Sequence, residues 1–96
     1  MAEKITIAIA SDLSGFPLKS EVVSYLQGRE EIEVIDFGIE SADAPRPYSQ
    51  QAPKVARAIQ NGDADRGILI CGTGQGMAIV ANKFRGIYAC VVDSVF

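Results

Sequence analysis

The segment Gly67-Ile68-Leu69-Ile70-Cys71-Gly72-Thr73-Gly74-Gln75-Gly76-Met77 opens with a short apolar run, Ile68 to Ile70, of the kind that forms a buried strand. It closes in a glycine-rich turn carrying one thiol and one hydroxyl. Beyond it, Met77-Ala78-Ile79-Val80-Ala81-Asn82-Lys83 reads as the first turns of a helix. Strand, glycine-rich loop and helix in that order are the unit of a parallel α/β sheet. Backbone N–H groups gather in such a turn and suit an anion or a developing oxyanion. Cys71 falls at the carboxyl end of the strand, where open α/β sheets place their ligands.

Each of these features has a plainer explanation. A lone cysteine ending an apolar strand is more often a small buried hydrophobe than a catalyst. Alternating glycines can serve only a tight turn. The spacing of Gly72, Gly74 and Gly76 is G-x-G-x-G, which is neither the dinucleotide fingerprint G-x-G-x-x-G nor a P-loop with its Lys-Ser/Thr pair. Spacing alone therefore argues against nucleotide binding and leaves a generic anion-binding turn.

Outward from that segment, the same alternation recurs. Lys4 to Ala10 is β-rich and apolar and predicts a first strand, broken by Ser11-Asp12-Leu13-Ser14-Gly15. Leu18 to Gln27 has the apolar spacing of an amphipathic helix, with Pro17 in its first turn and Gly28 at its stop. Ile32 to Phe37 predicts a second strand. Ile39 to Pro47, with Ser41, Asp43, Pro45 and Pro47, reads as a loop able to border a site. Tyr48 is a packing residue or a substrate contact. Pro53 to Gln60 predicts a second helix ended by Asn61-Gly62, and Ile87 to Val92 a fourth apolar strand.

The order β-α-β-α-β-α-β predicts a Rossmann-like, three-layer αβα fold with a parallel sheet. Strand order 2-1-3-4 would set strands one and three side by side. The Asp12 and Cys71 turns then meet at a topological switch point. Asp12 could equally be a helix N-cap or turn residue. The last predicted strand is followed only by Asp93-Ser94-Val95-Phe96. An apolar strand with no covering helix leads us to expect an N-terminal fragment of a longer chain, a single domain over 1–96 lacking a C-terminal part.

Bulk properties narrow the function classes. The 96 residues are 48% apolar and 22% charged, which suits one small globular domain. A net charge of −3 and a pI near 4.8, with no basic cluster, argue against nucleic acid or an acidic membrane surface as partner. Met1-Ala2-Glu3-Lys4 is not a signal peptide, so the expected location is the cytoplasm, where Cys71 and Cys90 stay thiols. The sequence has no histidine, the commonest general acid/base and metal ligand. We expect no metal and no cofactor.

The chain resembles the ribose-5-phosphate isomerase type B family, which includes the galactose-6-phosphate isomerase subunits. The resemblance rests on Ile7-Ala8-Ile9-Ala10-Ser11-Asp12 with Gly15 and Leu18-Lys19, and on Glu33-Val34-Ile35-Asp36-Phe37-Gly38. It continues through Gly67 to Gly74 with Gly76, and Ala81-Asn82-Lys83 with Gly86. It implies a metal-independent aldose–ketose isomerase of ribose 5-phosphate/ribulose 5-phosphate type, working through an enediolate. It further implies Cys71 as the proton-abstracting base and Thr73 as an added catalytic hydroxyl. The turn Gly72, Gly74, Gln75 and Gly76 would hold the enediolate oxygens, and Asp12 the substrate hydroxyls. A small sugar or sugar phosphate is the implied ligand, and a homodimer or higher homo-oligomer with interfacial sites the implied assembly.

Two departures from the family pattern are visible. Leu13 occupies the substrate-binding position that is usually histidine, and leucine can neither donate to a phosphate nor shuttle a proton. The family's tyrosine-proline segment is Tyr48-Ser49-Gln50-Gln51 here. Its ring-opening histidine and phosphate-binding arginines lie in a C-terminal part outside these residues. An unphosphorylated or shorter sugar therefore stays open, as does a non-catalytic sugar-binding or partner subunit of the same fold.

Overall fold

Among the described residues, six elements alternate: β1 (Ile5–Ser11), α1 (Phe16–Gln27), β2 (Ile32–Asp36), α2 (Tyr48–Gln60), β3 (Arg66–Ile70) and α3 (Gln75–Ala81). The structure is a computed structural model that describes residues 4–12, 14–37, 48–72 and 75–92. The strands form one parallel sheet in the order β2-β1-β3. The register sets Ile9 beside Asp36 on one side and Ser11 beside Ile70 on the other.

Reversal of direction at β1 decides where the helices go. Right-handed crossovers from β1 to β2, and from β2 back past β1 to β3, must run over opposite faces. Side chains show the same division. Ala8, Ala10 and Leu69 pack with Val55, Ala58 and Ile59 of α2 on one face. Ile9 alternates with Ala8 and Ala10 and so points to the other face, where it is wholly buried. Asp36, its register partner, meets Lys19 of α1 there in an ion pair of 2.7 Å. Phe16 lies 5.4 Å from the same ammonium group. Lys19 thus buries its stem while its charge is matched at the end of β2.

Small residues on the α2 face bring helix and sheet close. A Cβ on Gly67 would run into Val55 Cγ1 and lie 3.1 Å from Ile59 Cδ1. Gly67 is therefore the residue that lets α2 seat on β3.

The helices begin earlier than the sequence suggests. α2 starts at Tyr48, five residues before Pro53, which lies inside the helix. Proline favours a first helical position and so draws the predicted boundary to itself. Here its missing N–H costs one early rung, while the turn before it buries Gln51 and Ala52. The loop Ile39–Pro47 lies outside the described residues.

The fourth strand does not form, so the observed order is 2-1-3 rather than 2-1-3-4. Residues 87–92 are irregular. Tyr88 is 95% exposed and Val92 75% exposed. A parallel strand is stable when both its faces are covered, and among the described residues nothing covers the outer side of this segment. α3 nevertheless lies beside α2, on the face a right-handed crossover to the free edge of β3 requires. No helix among the described residues is long and apolar enough to cross a membrane.

Replacing Gly67 by alanine should force α2 away from the sheet and cost about 1–3 kcal/mol, the usual range for overpacking. Urea denaturation of Gly67→Ala against the parent checks this. An unchanged midpoint would show that α2 can slide without loss.

Candidate active site

The carboxyl ends of β1 and β3 are neighbours, and the two turns that leave them are bonded to each other. Asp12 donates its backbone N–H to Ile70 O at 3.2 Å, one residue before Cys71. Asp12 Oδ1 then accepts from Ser14 Oγ at 2.9 Å and from the Gly15 N–H at 2.8 Å. The carboxylate thus folds the turn that starts α1, whose N-cap Gly15 has no side chain to do so. Both bonds fall on one oxygen. Among the described residues nothing engages Oδ2, which is the oxygen able to accept a ligand hydroxyl.

Close approach fixes the spacing of the turns. A Cβ on Gly15 would sit 2.5 Å from Ile70 O and 2.8 Å from Ile70 Cγ2. A Cβ on Gly72 would meet Ser14 Oγ at 3.4 Å. Only a residue without a side chain lets the start of α1 lie against the end of β3 in this way.

The structure therefore brings together Asp12, Cys71 and Gly72 at one edge of the sheet. Cys71 is half-buried and Gly72 exposed. Gln75 and Gly76 open α3 directly after the turn. Leu13, Thr73 and Gly74 lie outside the described residues, as does the side chain of Gln75. No cluster of three or more histidine, cysteine, aspartate or glutamate side chains that could hold a metal occurs among the described residues. Among the described residues, a clearly shifted carboxylate lies elsewhere. Glu31 is held below the usual range by its own backbone N–H and by Arg29, 2.6 Å away, at the opposite end of the sheet.

A model of the ribose/galactose isomerase family matches residues 7–96. The chain belongs to that family. Over 90 residues it is 50% identical to the 4-deoxy-4-sulfo-D-erythrose isomerase of Clostridium sp. (strain MSTE9), covering 94% of this chain and 56% of that protein. It is 49% identical to ribose-5-phosphate isomerase B of Escherichia coli (strain K12), covering 94% of this chain and 59% of that protein. The fold is likewise similar to ribose-5-phosphate isomerase B of Clostridium thermocellum, with a TM-score of 0.81 and 46% identity. That match covers 86% of this chain and 55% of the other. The Thermotoga maritima enzyme gives a TM-score of 0.80 at 49% identity, over 86% of this chain and 56% of that one. The chain thus spans somewhat over half the length of these relatives.

Within this isomerase-family chain, one residue at the site was not singled out by the sequence. Gln51, wholly buried in α2, donates from Nε2 to Ser11 O at 2.9 Å. Its Oε1 and the neighbouring Ser11 Oγ are buried without partners. A neutral hydrogen bond contributes about 1 kcal/mol net, whereas each orphaned buried polar atom costs about 1–3 kcal/mol. Gln51 thus satisfies one buried acceptor while its own carbonyl oxygen stays unmatched. Its sequence context gave no signal, because a glutamine in a polar tract reads as solvated helix surface.

A groove of about 910 Å³ runs along the free edge of β3. Its lining includes Cys71 and Gly72, Met77 and Ala81 of α3, and residues 86–92. Its long apolar wall suits a further strand better than a sugar, and only its Cys71 end adjoins the two turns.

Gly15→Ala should push the Asp12 turn off β3 and lower stability by about 1–3 kcal/mol. Heteronuclear NMR should show the largest amide shifts at Asp12, Ile70 and Cys71. Shifts confined to α1 would contradict the contact.

Proposed function

We propose that this chain carries the proton-transfer half of an aldose–ketose isomerase site, with the Cys71 thiolate as base. The observation that supports this most is the bonding of the Asp12 turn to the residue before Cys71. It brings the turn that carries a carboxylate next to the strand end that leads into a thiol and a glycine-rich segment.

On this reading Asp12 Oδ2 accepts a substrate hydroxyl while Oδ1 stays with the turn. Cys71 takes the proton from the carbon next to the carbonyl. The released electron pair moves onto the carbonyl oxygen and gives an enediolate. Backbone N–H groups of the turn Gly72 to Gly76 would stabilise the developing oxyanion, where preorganised donors act most strongly. Thr73 adds a hydroxyl. The thiol returns its proton to the former carbonyl carbon, one hydroxyl proton passes between the two oxygens, and the ketose results. No electrons are gained or lost overall.

The substrate class we infer is a four- or five-carbon aldose with a terminal anion. The names of the relatives support it: ribose-5-phosphate isomerase B, 4-deoxy-4-sulfo-D-erythrose isomerase and, at 41% identity, D-erythrulose-4-phosphate isomerase. Leu13 cannot donate to a phosphate, so an unphosphorylated or shorter sugar also stays a candidate. It also favours a second reading, a sugar-binding subunit without turnover.

Deuterium uptake from D2O into aldoses and aldose phosphates, followed by NMR, separates the two. Label should enter the carbon beside the carbonyl, and Cys71→Ala should slow this by about 10²–10⁴-fold, the usual contribution of a general base. Full exchange in that variant would sink the role of Cys71, and binding without any exchange would favour the second reading. Asp12→Asn keeps an acceptor for Gly15 but loses the charge. It should raise KM by about 10–100-fold, as expected when a charge-assisted hydrogen bond is lost, with little change in stability.

A further inference from the structure

We propose that Gln51 is a positioning residue that orients Asp12 against the Cys71 turn, an inference that rests on reading those two turns as one site. The Ser11–Asp12 peptide is held at both polar ends. Its carbonyl accepts from Gln51 Nε2 at 2.9 Å, and its N–H donates to Ile70 O at 3.2 Å. One partner comes from α2 and the other from the strand that ends in Cys71. A single peptide plane, gripped from two elements, thus sets the direction in which the Asp12 side chain leaves β1.

The ladder pattern shows why that grip is needed. Odd-numbered residues of β1 bond toward β2, as in the N–H of Ile5 to Glu31 O and the N–H of Phe37 to Ile9 O. Even-numbered ones bond toward β3, as in the N–H of Asp65 to Thr6 O. The carbonyl of Ser11 therefore faces the β2 side, where β2 has already ended at Asp36. Among the described residues, Gln51 supplies the donor on that side. It does so from a helix, at the last residue before the site.

Gln51 and Ser11 are both wholly buried, and Gln51 Oε1 and Ser11 Oγ are left without partners. Leucine or methionine would fill similar space but leave the buried Ser11 carbonyl without this donor. The one bond of Gln51 is aimed at the peptide bearing the candidate site carboxylate, and that bond is what gives it an orienting role.

Gln51→Leu and Gln51→Met test this by three readouts in the full chain. Thermal unfolding should show a cooperative transition at a lower Tm, because the buried Ser11 carbonyl loses its donor. Amide hydrogen exchange should show the Gly15 N–H, bonded to Asp12 Oδ1, losing protection by about tenfold, the loss expected for one hydrogen bond. The D2O exchange assay should show KM raised by about tenfold with kcat changed less. Gly15 protection and KM both within about twofold of the parent would overturn the proposal. So would the unfolding of both variants, which would make Gln51 a core residue. A parent that exchanges no proton with any sugar defeats the isomerase reading, and Gly15 protection then still decides the role of Gln51.

Discussion

A Cβ on Gly15 would lie 2.5 Å from Ile70 O, and this close approach is the constraint on which the site edge depends. Because Gly15 has no side chain, the start of α1 rests directly on the last rung of β3. That contact holds the Asp12 turn beside Cys71, and it exists only because the sheet reverses direction at β1. Two strands that follow each other at a distance in sequence become neighbours, and their carboxyl ends share one edge. On the amino side of the contact, Gln51 and Ile70 fix the peptide between Ser11 and Asp12. On the far side Ser14 reaches toward Gly72. The site is thus two turns locked by backbone groups, with side chains added at the tips.

Much of this was legible in the sequence, because it follows from periodicity and punctuation. Apolar runs such as Ile68–Ile70 and Ile5–Ala10 admit few readings when glycine-rich turns bound them, and alternation with helices fixes a parallel sheet. Gly28 marked the end of α1 as it does in the structure. The start of α2 was hidden, since Pro53 imitates a first-turn residue while the real first turn is polar. For the same reason Gln51 escaped notice. Its burial is a tertiary fact, set by where β2 stops, and no local pattern announces it. Asp12 was read as either a ligand or a turn residue, and the geometry gives it the turn role through Oδ1 while leaving Oδ2 available.

The free edge of β3 shows what local sequence cannot decide alone. Ile87 to Val92 is as apolar as the strands that form, yet it stays irregular with Tyr88 and Val92 exposed. Strand formation there depends on partners for both faces, and those are long-range. α3 is already on the face that such a strand would need. Family membership and the fold of the matched half agree with the relatives over the residues they share. The proton-transfer chemistry we propose lies wholly within that shared part.

An enediolate mimic offers the most direct test of the claim that the Asp12 and Cys71 turns form one site. Titration with a four-carbon hydroxamate bearing a terminal phosphate, followed by amide NMR, reads both turns at once. The account predicts saturable shifts at Asp12, Gly15, Cys71 and Gly72 with a common dissociation constant. Shifts at one turn without the other, or only along the β3 groove, would contradict it.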